Sequence, residues 1–341
     1  MQNGSGRSLT WKRPRWRTSK SSTVGVMLLG LALTPAAHAQ VEMTVATYHP
    51  RTATADVEGM VHYKKLVEER SNGAIKVNVF FGGTLGGERE LIEQIKLGTV
   101  HLCIGGWAAV GLYTKAITPW GVPYLFSSQE QIAAAVKGPF GEAIRKAYAR
   151  NGIYWAGLYF RGNRQLTTNR NVRNPADLKG MRIRLPENPD WLQVWKAFDT
   201  LPVPIPSPEI FGSLQTGVVD AQENPISSNY NQKLWEVQKF MVMTNHIVDM
   251  NQYLMSASFL DRQTAANRAI MIKAAEDALA WSTKYAADQE AKLLQEMEAK
   301  GMIILRPDLK PFQETALKTI DYFKTRWEPW VFDETMKVIK N

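Results

Sequence analysis

The sequence predicts an α/β fold in two domains, and three features carry that reading. The chain from Met43 to Ile104 alternates strand, helix, strand, helix and strand patterns. From Arg161 to Asp249 the elements shorten and Pro and Asn become frequent. From Thr264 to Lys300 there is no Gly or Pro across 37 residues. A length of 341 residues suits two domains.

Met43–Tyr48 reads as the first strand. A helix follows over Asp56–Arg70, because Val57, Met60, Tyr63 and Val67 recur at helical spacing. Ser71-Asn72-Gly73 breaks it. Ile75, Val77, Val79 and Phe81 alternate as a strand, and the Gly82–Gly87 loop leads into a helix over Glu88–Leu97. Val100, Leu102 and Ile104 form the third strand, giving a sheet covered by helices on both faces. Helices over Gln129–Val136 and Phe140–Asn151 precede a strand over Ile153–Phe160.

Beyond Arg161, short strands are expected at Gln165–Thr168, Met181–Leu185 and Leu201–Ile205. Short helices are expected at Pro189–Phe198 and Glu209–Thr216, and a strand at Gln252–Ser258. The Thr264–Lys300 segment is one helix stopped by Gly301. At 1.5 Å per residue it reaches roughly 55 Å, enough to bridge two domains.

Composition narrows the function. With 45% hydrophobic and 21% charged residues, the chain is neither collagen-like, disordered nor a multi-span membrane protein. A single cysteine, Cys103, excludes an intrachain disulfide and a cysteine-clustered zinc site. The net charge of +9 has a local origin. Arg7, Lys12, Arg13, Arg15, Arg17 and Lys20 lie in residues 1–39, which hold no acid; the remainder carries only +3. That balance gives no sign of a nucleic-acid partner.

Residues 1–39 read as a secretory signal. The basic stretch precedes an apolar run, Val24–Leu33, and then the small-residue site Ala37-His38-Ala39. Cleavage is expected after Ala39. An uncleaved anchor is the alternative, but the run is short of the ~20 residues a membrane span needs.

Enzyme and metal signatures are absent: no H-E-x-x-H, no G-x-S-x-G and no Walker loop. His49, His62, His101 and His246 lack metal-ligand spacing. No metal, cofactor or catalytic set is expected. The Gly82–Gly87 loop reads as a tight strand-to-helix turn, since its glycines do not fit G-x-G-x-x-G. Arg184 lies near the end of a strand, the place where open α/β sheets bind ligands. Its planar fork matches a carboxylate's two oxygens, although a structural ion pair fits the sequence equally well.

The motifs around Arg184 carry a resemblance. RQLTTNR (Arg164–Arg170), DLKGMRIRLPE (Asp177–Glu187) and LQTGVVDAQENP (Leu214–Pro225) are its strongest pieces. GGTLGGERELIEQIKLGTV (Gly82–Val100) and EVQKFMVMTNH (Glu236–His246) follow. With these in order, the chain resembles the extracytoplasmic solute-binding proteins of TRAP transporters, the DctP-like family. The resemblance covers essentially all of residues 40–341.

It implies a two-lobed periplasmic binding protein of type II-like architecture, with an interlobe cleft and a long bridging helix. Lobe I would comprise residues 40–161 plus about 250–290; lobe II, residues 162–249 plus part of 291–341. The implied function is capture of a small organic acid for delivery to membrane permease subunits, by a monomer, with no covalent chemistry; the alternatives are a ligand-binding module feeding a sensory receptor, or an exported lyase or hydrolase using Glu187 or His49 as base. Arg184 falls on the family's principal carboxylate-binding arginine, Arg164 on a second basic position, and Asn224 on a carboxylate-binding asparagine.

The sialic-acid-binding branch differs nearby. It has a carboxylate, an asparagine and a phenylalanine where Gly106, Glu187 and Ser207 stand here, which argues against sialic acid. Glu187 could accept from sugar hydroxyls, pair with an ammonium, or hold Arg184 or Arg182. Trp107 could stack on a ligand ring or pack in the core. His49, after the first strand, occupies a cleft-edge position from which it could donate to a ligand.

Overall fold

The computed structural model describes residues 10–12, 40–106, 111, 113 and 119–340. The expectations for the leader and for Trp107 fall outside the described residues. Two sheets share one strand. In the first sheet, β1 (Val41–Ala46) pairs in parallel with β2 (Ile75–Phe80) and with β3 (Leu102–Gly106). β4 (Ile153–Thr168) is the shared strand. In the second sheet, β5 (Arg182–Leu185) pairs in parallel with β6 (Leu201–Pro204) and β7 (Ala221–Pro225). β8 (Phe240–Val242) pairs with β4, and β10 (Ile303–Leu305) with β8. β9 (Val248–Ser256) runs antiparallel between β3 and β4 in the first sheet.

β4 differs from the sequence expectation, which split it into Ile153–Phe160 and a separate Gln165–Thr168. It is continuous over 16 residues. Its first part pairs with β9, and from Arg164 it pairs with β7. Register shifts fall between Trp155 and Gly157 and between Phe160 and Asn163. Gly162, at φ +86°, lies in the second. Such bulges bend a strand without ending it, so glycine here marks a turn from sheet to sheet rather than a break.

The expected strand Gln252–Ser258 is also displaced, to Val248–Ser256. Ser256 ends it by accepting the Phe259 N–H and capping a short helix, Ala257–Asp261. Its first half escaped notice because Asp249 and Asn251 are buried polar residues, which hide the strand's pattern. The same reason hid β7, whose five residues, AQENP, are all buried.

The long helix spans Ala265–Ala299, with the Thr264 hydroxyl accepting the Asn267 N–H at its start. Met271, Ala274, Ala275, Ala278 and Leu279 pack into one core with Met43, Val45 and Ile104. Leu293 and Met297 pack into another with Ile210, Leu214 and Met241. One element therefore contributes to the apolar cores of both sheets. Its approach to the Ala55–Arg70 helix is close: a Cβ on Gly59 would lie 2.1 Å from the Ser282 hydroxyl, so a larger residue there would force that side chain to move. Among the described residues, no helix is long and apolar enough to cross a membrane.

Candidate functional site

Strand ends converge on a polar cleft of about 430 Å³. Tyr48 and His49 follow β1, Gly106 ends β3, and Glu88 begins the helix Glu88–Leu97. Arg161 and Arg164 come from β4 where it changes sheets; Arg184 comes from β5, Asn224 from β7, and Asp249 and Asn251 from β9. Trp191, on the helix Pro189–Lys196, closes one wall. Placement of a site at the carboxyl ends of parallel strands is general for such sheets, because helix starts and loops gather there.

Three arginines meet in this cleft, and they differ in their partners. Arg161 pairs with Asp56 at 3.2 Å and Asp249 at 3.5 Å. Arg164 pairs with Glu223 and, at 2.8 Å, with Asp249. It also donates to the Asn224 side-chain oxygen at 3.0 Å and lies 4.8 Å over the Trp191 ring. Burial opposes the charge on Arg164, but Glu223 and Asp249 outweigh it, and its pKa is raised. Glu223 accepts a further contact from His246 at 2.9 Å.

Arg184 is 3% exposed and has no acidic oxygen within 4.0 Å among the described residues. Its Nε donates to the Ile205 carbonyl at 2.7 Å. Burial lowers its pKa to about 10; Glu223 opposes that shift and the charge of Arg164 adds to it. A desolvated guanidinium with spare donors is an anion site awaiting an anion. Asn224 stands beside it, 8% exposed, with one N–H given to Gln222 at 2.6 Å. An amide nitrogen carries two hydrogens, so one donor remains.

His49 lines the cleft and is 3% exposed. Its Nε2 has no hydrogen-bond partner and lies 3.9 Å from Asp56. Burial lowers its pKa to about 4, against the pull of Asp56 and with the push of Arg161. The imidazole is therefore neutral at pH 7. A depressed folded pKa means the unfolded chain takes up the proton first as pH falls. His49 thus contributes stability above pH 6.5 that is lost progressively toward pH 4. That contribution is about 3 kcal/mol at most. Urea unfolding at pH 7 and pH 4 is expected to show a smaller loss on acidification in His49→Gln than in the parent. Equal losses would contradict the assignment.

Glu187 departs from the expectation. It stands outside the cleft lining, half exposed, and its partner is Arg89 at 3.2 Å, neither Arg184 nor Arg182. Arg182 pairs instead with Asp220 at 2.6 Å. The Arg89–Glu187 pair joins the Glu88–Leu97 helix to the segment after β5, next in sequence to the cleft residues Glu88 and Pro186. Outside the cleft lining, Thr52 donates to Asn231, which donates to Thr54 at 2.9 Å. An exposed pair contributes 1 kcal/mol or less. Glu187→Ala is therefore expected to change ligand affinity by less than about fivefold by calorimetric titration.

Sequence reasoning missed Glu88, Arg161, Asp249 and Trp191. Glu88 had a signal: it opens a helix after a strand-to-helix loop, on the cleft side of the sheet. Asp249 and Arg161 had none, since each is defined by partners far away in the chain.

The fold and cleft define a two-lobed binding protein whose cleft holds one arginine, Arg184, without an acidic partner among the described residues. Residues 46–326 match the bacterial extracellular solute-binding protein family 7, DctP, and the chain belongs to that family. It is 31% identical over 246 residues to a solute-binding protein of Verminephrobacter eiseniae, covering 71% of this chain and 73% of the relative. It is 29% identical over 250 residues to the sialic acid-binding periplasmic protein SiaP of Vibrio cholerae, covering 73% and 78%. Among solved structures, a TRAP periplasmic solute-binding protein from Bordetella bronchispeptica superposes with a TM-score of 0.82 at 28% identity, covering 87% of this chain and 98% of that one. Its density was attributed to pantoate. One from Roseobacter denitrificans, with bound L-galactonate, gives 0.80 at 26% identity, covering 88% and 98%. The chain is a TRAP-type extracytoplasmic solute-binding protein, of a family that binds small organic acids and works with membrane transporter components.

Proposed function

We propose that this protein captures a small organic acid by its carboxylate on Arg184 and delivers it to the permease subunits of a TRAP transporter. The observation that carries the reading is Arg184: buried, cationic and without an acidic partner among the described residues. Asn224 adds a neutral donor. Arg164 acts mainly by holding Asn224 in place, since its own donors face Glu223, Asp249 and Asn224. His49 offers the ligand a neutral ring nitrogen. Two relatives over 25% identical, with pantoate and L-galactonate, support a carboxylate ligand.

The lobes are residues 40–161 with about 250–290, and 162–249 with part of 291–341. β4, β9 and the long helix connect them and bend as the cleft closes. Ligand shifts that equilibrium by its preference for the closed form, and Arg184 supplies the preference because it gains a partner only there. The protein is exported by its first 39 residues, cut after Ala39, and acts in the periplasm as a monomer.

A thermal-shift screen of the periplasmic protein against small carboxylates tests this. A ligand at 100 times its Kd stabilises the protein by about 2.7 kcal/mol, which raises Tm by a few degrees. If no carboxylate raises Tm and native mass spectrometry finds the protein empty, the reading fails.

A further inference from the structure

The cleft's charges point beyond a carboxylate in general. Arg161 and Arg164 are matched by three buried carboxylates, Asp56, Asp249 and Glu223. Only Arg184, of these three, is left to receive an anion. On the other lobe's side of the cleft, no lining cation among the described residues is free for a second anion. What lines it there is Glu88, with His49 nearby. One Glu88 oxygen accepts the Gly106 N–H, and the other has no hydrogen-bond partner among the described residues. The His49 Nε2 is likewise unpartnered, in a side chain almost fully buried.

We propose that the ligand is a hydroxylated acid with a single carboxylate, whose hydroxyls are read by Glu88 and His49, and that Glu88 excludes dicarboxylates. This rests on the assignment of the carboxylate to Arg184. Glu88 and His49 can accept hydroxyl protons, and a neutral imidazole can also donate through its other tautomer. The far carboxylate of a diacid would approach Glu88, while Arg161 is already paired with Asp56 and Asp249 and Arg184 is taken by the first carboxylate. Specificity built on such repulsion is common where attractive contacts are shared by competitors. Burial raises the pKa of Glu88, and Arg184 and the Gly106 N–H only partly offset that. A diacid could therefore bind only with a proton taken up between the two carboxyl groups.

Calorimetric titration of the full-length exported protein with three four-carbon acids tests the proposal: threonate, butyrate and succinate. Threonate is expected to bind at least about tenfold tighter than either of the others, because a site built around hydroxyls penalises ligands lacking them. Glu88→Gln keeps the shape and the acceptor for Gly106 but removes the charge. It is expected to narrow the threonate-to-succinate ratio by about tenfold or more. Succinate binding as tightly as threonate to the parent, or an unchanged ratio in Glu88→Gln, would overturn the proposal. So would tighter binding of 2-amino-3-hydroxybutyrate than of threonate, which would assign Glu88 to an ammonium. If none of these acids nor any other carboxylate binds, the receptor reading fails first. If succinate binds as tightly as threonate and Arg184→Ala abolishes it, that reading survives and only this inference falls.

Discussion

Arg184→Ala is expected to weaken ligand binding by about 30- to 5,000-fold while changing the stability of the ligand-free protein by no more than about 1 kcal/mol. Truncating one partner of a buried, hydrogen-bonded charge pair costs about 2–5 kcal/mol, and each 1.4 kcal/mol is a factor of ten. The loss is confined to the liganded state because Arg184 has no acidic partner among the described residues without ligand. Without ligand, the substitution removes one bond to the Ile205 carbonyl, a loss of about 1 kcal/mol. It also removes the unfavourable burial of a lone cation, which the lowered pKa reports. The two nearly cancel. Arg184→Lys is expected to fall between, keeping the charge but losing the planar fork. Calorimetric titration beside urea unfolding reads both quantities. Unchanged affinity, or a stability loss that accounts for the affinity loss, would refute the assignment.

Arg164→Ala has the opposite expected profile, a loss of about 3–5 kcal/mol in stability without ligand. Its removal leaves Glu223 (0% exposed) without its arginine and Asp249 (2% exposed) sharing Arg161 with Asp56. Buried carboxylates that lose a cation keep their desolvation cost. Adding Glu223→Gln to Arg164→Ala is expected to recover part of the loss, since the orphaned charge goes with it. His246, 2.9 Å from Glu223, remains as a hydrogen-bond partner. Urea unfolding of the parent, both single variants and the double variant gives the coupling. Strict additivity would mean that the Arg164–Glu223 pair does not bear on stability.

The two arginines show how far the sequence could be read. Twenty residues apart, in RQLTTNR and RIRLPE, both fall on ligand positions by resemblance, and nothing local separates them. Their difference lies in partners 59, 60 and 85 residues from Arg164, on β7 and β9. Glu187 shows the same limit. Its match to the position where the sialic-acid-binding branch has an asparagine suggested the cleft, yet its partner is Arg89, 98 residues earlier.

The elements read best were those whose apolar periodicity faces a single core. The helix Glu88–Leu97 matches its expected bounds, and the long helix falls within a residue of them at each end. β7 was missed because its polar residues are buried on both faces, and the first half of β9 because polar Asp249 and Asn251 are buried there beside apolar Val248 and Met250. Periodicity marks a boundary between oil and water, and those strands lie at none.

The sequence by itself determined the family, the alternation of strands and helices, and the position of Arg184 at a strand end. Each is written in local spacing or in short motifs. Tertiary structure alone decided which arginine lacks an acidic partner among the described residues, that Glu88 and His49 line the same cleft, and that β4 runs unbroken from one sheet to the other. Those are properties of long-range pairing. A charge's role depends on what folding places within about 4 Å of it, because burial strengthens that interaction and removes the water that would otherwise screen it.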